Sequence, residues 1–228
     1  MESTVEATAP SMAVEHKLLT ADNVRSYVAS RMLQAILERL RFFDVIAPPE
    51  THSGLRQHFF EQAEAERTAL LAVSNGELMK SCSGQKSPIN RQMLIGHAWR
   101  LIAPLLPIWG HHALTCESTE TTPVNGAGYL FEGFFFELLL RIRKSASAGA
   151  DIQLSLPHHH ADICRITVTS DGLDHSWLDG VIRGHRGQSD FGTALIREAM
   201  QAFGMEGHAA TMPGDEETKP FALTVRCR

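Results

Sequence analysis

His158, His159 and His160 are the densest run of potential metal ligands in the chain. Successive side chains of an extended segment point to opposite faces, so three adjacent imidazoles cannot converge on one ion from a strand. The run follows Pro157 and separates two strand-like stretches, so it reads as a polar turn. His111 and His112 read in the same way as the edge of a loop, and His97, with Trp99 and Trp109 near it in sequence, as a residue in or near the core. The four cysteines, Cys82, Cys116, Cys164 and Cys227, lie far apart and form no CxxC pair. That spacing speaks against a zinc site or a disulfide framework and for reduced thiols.

The elements that must carry any chemistry follow from the apolar period. Thr20 with Asn23 is a helix start, and Val24, Tyr27, Val28, Met32, Ala35, Ile36, Leu40 and Phe43 recur at helical spacing until Pro48 and Pro49 end the run. A second helical stretch carries Leu55, Phe59, Ala63, Leu70 and Val73 on one face. Two amphipathic helices joined by a tight turn make a hairpin, and one hairpin cannot bury both faces alone; pairing with a second hairpin, as a four-helix bundle across a dimer, is the usual remedy. Ser87-Pro88 predicts a helix start, a capping hydroxyl followed by proline, with the helix ending near Pro104. A strand at 112–117, a long buried helix within 126–149, strands at 151–156 and 163–169, a helix within 188–203 and strands at 208–212 and 221–227 complete the order. Phe131, Phe134, Phe135 and Phe136 cover most of one helix circumference, which predicts burial on several sides. The fold class is α+β: an N-terminal two-helix hairpin, then an α/β sandwich with one mixed sheet and helices on one face. The division is a flexible tail at 1–19, the hairpin at 20–86 and the sandwich at 87–228.

Composition narrows the function classes. The chain has 228 residues, 43% hydrophobic and 21% charged, the balance of an ordinary globular protein. A formal charge of −5 gives no basic field for a phosphate backbone, so a nucleic-acid partner is not expected. The first 17 residues have acidic groups where a secretory signal needs basic ones, and the greasy run at 129–140 is too short to span a bilayer. No membrane partner is expected, and the cytoplasm is the expected compartment.

Three short stretches carry a resemblance. Glu137-Leu138-Leu139-Leu140-Arg141-Ile142-Arg143-Lys144 lies on the long helix, Ser170-Asp171-Gly172-Leu173-Asp174 follows a strand, and Ser189-Asp190-Phe191-Gly192-Thr193-Ala194-Leu195 precedes the next helix. With the element order, these resemble the catalytic core of sensor histidine kinases: a dimerising hairpin followed by a Bergerat-type (GHKL) ATP-binding domain. In that family the long helix resembles N-L-L-x-N-A-x-K, and its second asparagine holds magnesium on the nucleotide. Here Glu137 and Arg141 stand at the asparagine positions, and a guanidinium has only donors, so it cannot ligate a cation. The D-x-G-x-G box, whose aspartate accepts from adenine, keeps only Gly172, with Ser170 ahead of it. Asp171 replaces the lost aspartate only if the register slips by one, which reverses the strand's faces. The box resembling G-x-G-L-G-L keeps only Gly192, and Asp190 would repel a phosphate. Three nucleotide contacts are altered together, which implies a pseudo-ATPase that takes up no cofactor.

The hairpin agrees. Ser30-Arg31-Met32-Leu33-Gln34-Ala35-Ile36 is similar to the S-R-x-C-H-D-L stretch of ChpT-type histidine phosphotransferases, two-domain dimers with a degenerate ATP domain. Gln34 then stands at the phosphoacceptor position and has no nucleophilic ring nitrogen. A second register, Glu64-Ala65-Glu66-Arg67-Thr68-Ala69-Leu70 against H-E-L-R-T-P-L, also lacks the histidine. His58, beside Glu61 on the second helix, is the weak candidate for a displaced phosphoacceptor.

The resemblance therefore implies a non-catalytic, homodimeric regulator or adaptor of two-component signalling. It would bind a response-regulator receiver domain or a sensor kinase through Arg31, Gln34 and Glu38 on the first helix, a strip that is otherwise a solvated helix face. The alternatives are a ChpT-like phosphotransferase passing phosphate through an unrecognised histidine, an active GHKL ATPase or kinase, and a helical-plus-sheet binding module unrelated to two-component signalling.

Overall fold

A computed structural model describes residues 19–46, 53–75, 89–105, 111–116, 123–124, 127–146, 150–156, 163–169, 190–211 and 221–227. Helix α1, Ala21–Ile46, opens where the sequence places it: Asn23 N donates to Thr20 Oγ1 at 3.3 Å, and Val24 N donates to Thr20 O at 2.9 Å. Its buried stripe is Val24, Val28, Met32 and Ala35. Helix α2, Ser53–Ser74, returns against it with Glu66, Ala69 and Val73 buried, and Gln62 Nε2 donates to Pro104 O at 2.6 Å.

The expected helix start at Ser87-Pro88 is corrected. Ile89–Asn90 form a short strand, β1, whose antiparallel partner is β3, Pro123–Val124, and helix α3 runs over Arg91–Ile102. A ladder to a segment more than 30 residues away in the same chain competes with the local capping signal here, and no sequence period announces a two-residue pairing. Helix α3 buries Leu94, Ile95, Ala98, Leu101 and Ile102 and continues into a short 3-10 turn at Ala103–Leu105.

Helix α4, Gly128–Ser145, is the centre of the molecule. Residues 130–140 are all buried, so this helix is apolar nearly all round and is enclosed by α1, α3, α5 and the sheet. Its aromatic side chains pack edge to face: Phe134 meets Phe135 at 5.0 Å between ring centres, and Phe131 meets Phe203 at 5.4 Å. Helix α5 is Phe191–Ala202. Gly204 follows it with a φ of 56°, the left-handed conformation that lets the chain turn straight into a strand.

Five strands make one mixed sheet in the order β2-β4-β5-β7-β6: β2 is His112–Cys116, β4 Asp151–Leu156, β5 Ile163–Thr169, β6 Met205–Thr211 and β7 Phe221–Cys227. The β2–β4 pair is parallel and the other pairs are antiparallel. Asp151 Oδ1 accepts from His111 N at 2.8 Å, and Ile152 N donates to His111 O at 3.0 Å, which anchors β2 beside β4. The pleat puts Ile152, Leu154, Ile166, Val168, Leu223 and Val225 on the helix-covered face. The architecture is thus the α+β arrangement read from the sequence, with one difference in detail. The hairpin does not stand apart: residues of α1, α2, α3, α4, α5 and the sheet form one continuous apolar core. The division at residue 86 lies outside the described residues.

Candidate functional site

Glu137 and Arg141 are one turn apart on α4 and share a face, so the two substituted positions must meet the same neighbours. Glu137 is completely buried, and both its oxygens are engaged. Oε1 accepts from Arg141 Nε at 2.6 Å, and Oε2 accepts from the Tyr27 hydroxyl of α1 at 2.9 Å. Arg141 continues the chain, with Nη2 donating to Asp190 Oδ1 and Oδ2 at 2.9 and 3.2 Å. Asp190 in turn caps α5, accepting from Thr193 N at 2.6 Å. Three helices are tied together by one run of charge-assisted hydrogen bonds.

The cluster lines a cleft of about 400 Å³ between α1, α4 and the start of α5, with Arg31, Lys144, Ser145 and Phe191 completing its walls. Phe191 packs on Tyr27 at 4.7 Å between ring centres, and the Arg31 guanidinium lies 5.9 Å from the Tyr27 ring centre. Gly192 is required by the crowding. A Cβ there would sit 2.4 Å from Glu137 Oε1 and 2.5 Å from the Tyr27 hydroxyl.

The ionisation of the cluster follows from its surroundings. Burial, reinforced by the Glu137 carboxylate, holds the Tyr27 phenol well above its ordinary value. Burial acts against the charge on Asp190, but the Thr193 N–H and the Arg141 guanidinium outweigh it and keep the carboxyl below its usual range. Burial likewise opposes the charge on Arg141, and Glu137 and Asp190 more than compensate.

Three of the five positions singled out from the sequence resemblance, the substituted Glu137 and Arg141 and the retained Gly192, therefore converge. Ser170 and Gly172 lie outside the described residues. Of the strip expected to meet a partner, Gln34 and Glu38 are exposed, while the Arg31 side chain is only 22% exposed and leans into the cleft, its Nε 3.9 Å from Glu137 Oε2. The three remain connected: Arg31 Nη1 donates to Gln34 Oε1 at 2.9 Å, and Gln34 Nε2 donates to Glu38 Oε1 at 3.0 Å. His58 falls within α2, and its side chain is outside the described part. His158, His159 and His160 are outside it as well.

Sequence reasoning missed one participant. Tyr27 reads as one more apolar position of an amphipathic helix, and nothing local reveals that its hydroxyl reaches a carboxylate 110 residues away. Asp190, expected from the sequence within a helix at 188–203 and as a group that repels phosphate, instead caps a helix that begins at Phe191. A second buried pair had no sequence signal: His97 Nδ1 lies 2.8 Å from Glu132 Oε1, at the edge of a groove of about 680 Å³ between α2 and α3. Among the described residues, no helix is long and apolar enough to cross a membrane.

No family model matches the sequence, and no curated protein matches it. Among the solved structures to which the chain is similar are histidine kinases and their catalytic domains. The mycobacterial sensor histidine kinase MprB is 12% identical, with 62% of this chain and 99% of that one covered at a TM-score of 0.46. The kinase domain of the blue-light activated histidine kinase EL346 of Erythrobacter litoralis is 13% identical, with 94% of each chain covered at a TM-score of 0.45. The Acinetobacter baumannii histidine kinase AdeS is 14% identical, with 93% and 98% covered at a TM-score of 0.41.

Proposed function

We propose that the chain is a non-catalytic, cytoplasmic regulator of two-component signalling that binds a receiver domain or a sensor kinase and neither hydrolyses ATP nor carries phosphate. The observation that supports this most is the closed polar cluster at the altered nucleotide positions. Magnesium would need a free carboxylate or amide oxygen, and both oxygens of Glu137 already accept from Tyr27 and Arg141. A phosphate would need unoccupied N–H groups at the start of α5, and the Asp190 carboxylate takes the Thr193 N–H. The cleft satisfies itself with side chains where a nucleotide would have to displace a buried ion pair.

The partner would meet the exposed Gln34 and Glu38, with Arg31 held beside them. On the side of α1 away from its buried stripe, next to that strip, Leu33 and Leu37 are 47% and 55% exposed, one turn apart, and are the face through which two copies would pair. Hairpin and sandwich are proposed as functional units meeting near residue 86.

The deciding experiment is calorimetric titration with magnesium and ATP, run beside incubation with a phosphorylated kinase and its receiver. The expected result is no metal-dependent ATP binding up to millimolar nucleotide and no acid-labile phosphate on the chain. Micromolar ATP binding, or a phosphoramidate on His58 or any other imidazole, overturns the reading. Receiver binding, where it is found, is expected to weaken about tenfold in Glu38→Lys, an energy of about 1.4 kcal/mol.

A further inference from the structure

Helix α1 is fastened to the rest of the molecule by two kinds of contact. Val24, Val28, Met32 and Ala35 bury an apolar stripe, and alongside it Tyr27 and Arg31 meet Glu137. The second contact is a poor choice for raw stability, because the desolvation of buried charges offsets most of their attraction. What it supplies is geometry: removing one member leaves a desolvated neighbour short of one hydrogen bond. It is also incompletely closed on one side. Arg31 Nε is buried without a hydrogen bond among the described residues, its nearest carboxylate oxygen in this cluster being 3.9 Å away. Arg141 and Glu137, by contrast, are tied to the cap of α5 and stay with the body of the fold whatever α1 does.

We propose that Tyr27, Glu137, Arg141 and Asp190 form a latch that holds α1 over the cleft, and that α1 can leave α4 and α5 as a unit while α3, α4, α5 and the sheet keep their packing. Closed, α1 covers the cleft. Open, it uncovers the Glu137–Arg141–Asp190 wall and the Met32 and Ala35 side chains, at the end of the stripe away from Leu19, together. The Tyr129 hydroxyl donates to Leu19 O at 3.1 Å and keeps the start of α1 on α4, so that end is the pivot. Gly192 is the clearance on which closure depends, since even one methyl group there strikes both Glu137 and Tyr27. The inference does not depend on which partner the chain binds.

Native-state amide exchange followed by mass spectrometry on the full chain tests it. In Gly192→Ala, residues 21–36 are expected to exchange at least tenfold faster than in the parent protein, with strands β4 and β5 unchanged. Tyr27→Phe, which removes only the hydroxyl, is expected to give a smaller acceleration over the same residues. The double variant is expected to exchange no faster than Gly192→Ala alone, because both changes release the same contact. Equal acceleration of α1 and the strands, no acceleration of α1, or additive effects in the double variant each overturn the latch. If Gly192→Ala does not fold, Tyr27→Phe decides by the same comparison of α1 with the strands. No nucleotide or receiver enters the assay, so its failure leaves the proposed regulatory function untouched.

Discussion

Tyr27 is the residue on which the cleft can be read most directly in solution. The chain has two tyrosines, Tyr27 and Tyr129, and burial raises both phenols, with Glu137 adding to the effect at Tyr27 and Glu198 at Tyr129. Spectrophotometric titration is therefore expected to show no phenolate absorbance at the ordinary value of about 10 until the fold itself opens. A normal tyrosine titrating in the native protein would contradict the geometry. The linkage has a definite sign. A proton held more tightly in the folded state means stability is intact below about pH 10 and falls as the pH rises toward the raised value. Asp190 acts at the other end of the scale. Its carboxyl is lowered in the fold, so its contribution is present above the ordinary value of about 3.9 and is lost as the pH falls through the depressed one. Denaturant midpoints between pH 5 and 2 are expected to fall less steeply in Asp190→Asn than in the parent chain.

At the scale of elements, α4 carries the largest share of the packing. Phe135 is fully buried and touches the rings of Phe131 and Phe134, so Phe135→Ala is expected to cost about 3–5 kcal/mol, measured by urea unfolding. The α5 cap is a smaller, local matter. Asp190→Ala removes the acceptor for Thr193 N and is expected to cost about 1 kcal/mol for the cap, with a further loss from the Arg141 Nη2 donor left without its partner. These two numbers separate the roles of the helices: α4 is held by area, whereas the beginning of α5 is held by a few polar contacts. Helix α1 combines both. Its stripe was legible as a 3.6-residue period, but the surface it packs on was not. Within this chain, α4 is among the elements that cover it.

For the whole molecule, Leu33 and Leu37 make the clearest forecast. They lie on the side of α1 away from α4 and are exposed in the single chain. Light scattering coupled to size exclusion is expected to show a dimer that Leu33→Glu with Leu37→Glu converts to a monomer, with the circular dichroism spectrum unchanged. A parent chain that is already monomeric at high micromolar concentration refutes that pairing face.

Sequence alone determined the helices α1, α2, α4 and α5, strands β4, β5 and β7 to the residue, and a buried Phe131–Phe136 segment, because period, caps and β-branched runs are local properties. It also singled out Glu137, Arg141 and Gly192, which the fold brings together. Tertiary structure decided what those residues do. Whether a buried carboxylate is bare or satisfied depends on a tyrosine 110 positions away and on an aspartate 53 positions further on, and such distances leave no trace in a local pattern. The β1–β3 pairing and the His97–Glu132 contact were hidden for the same reason: each joins residues more than 30 positions apart, through contacts that exist only after the chain has folded.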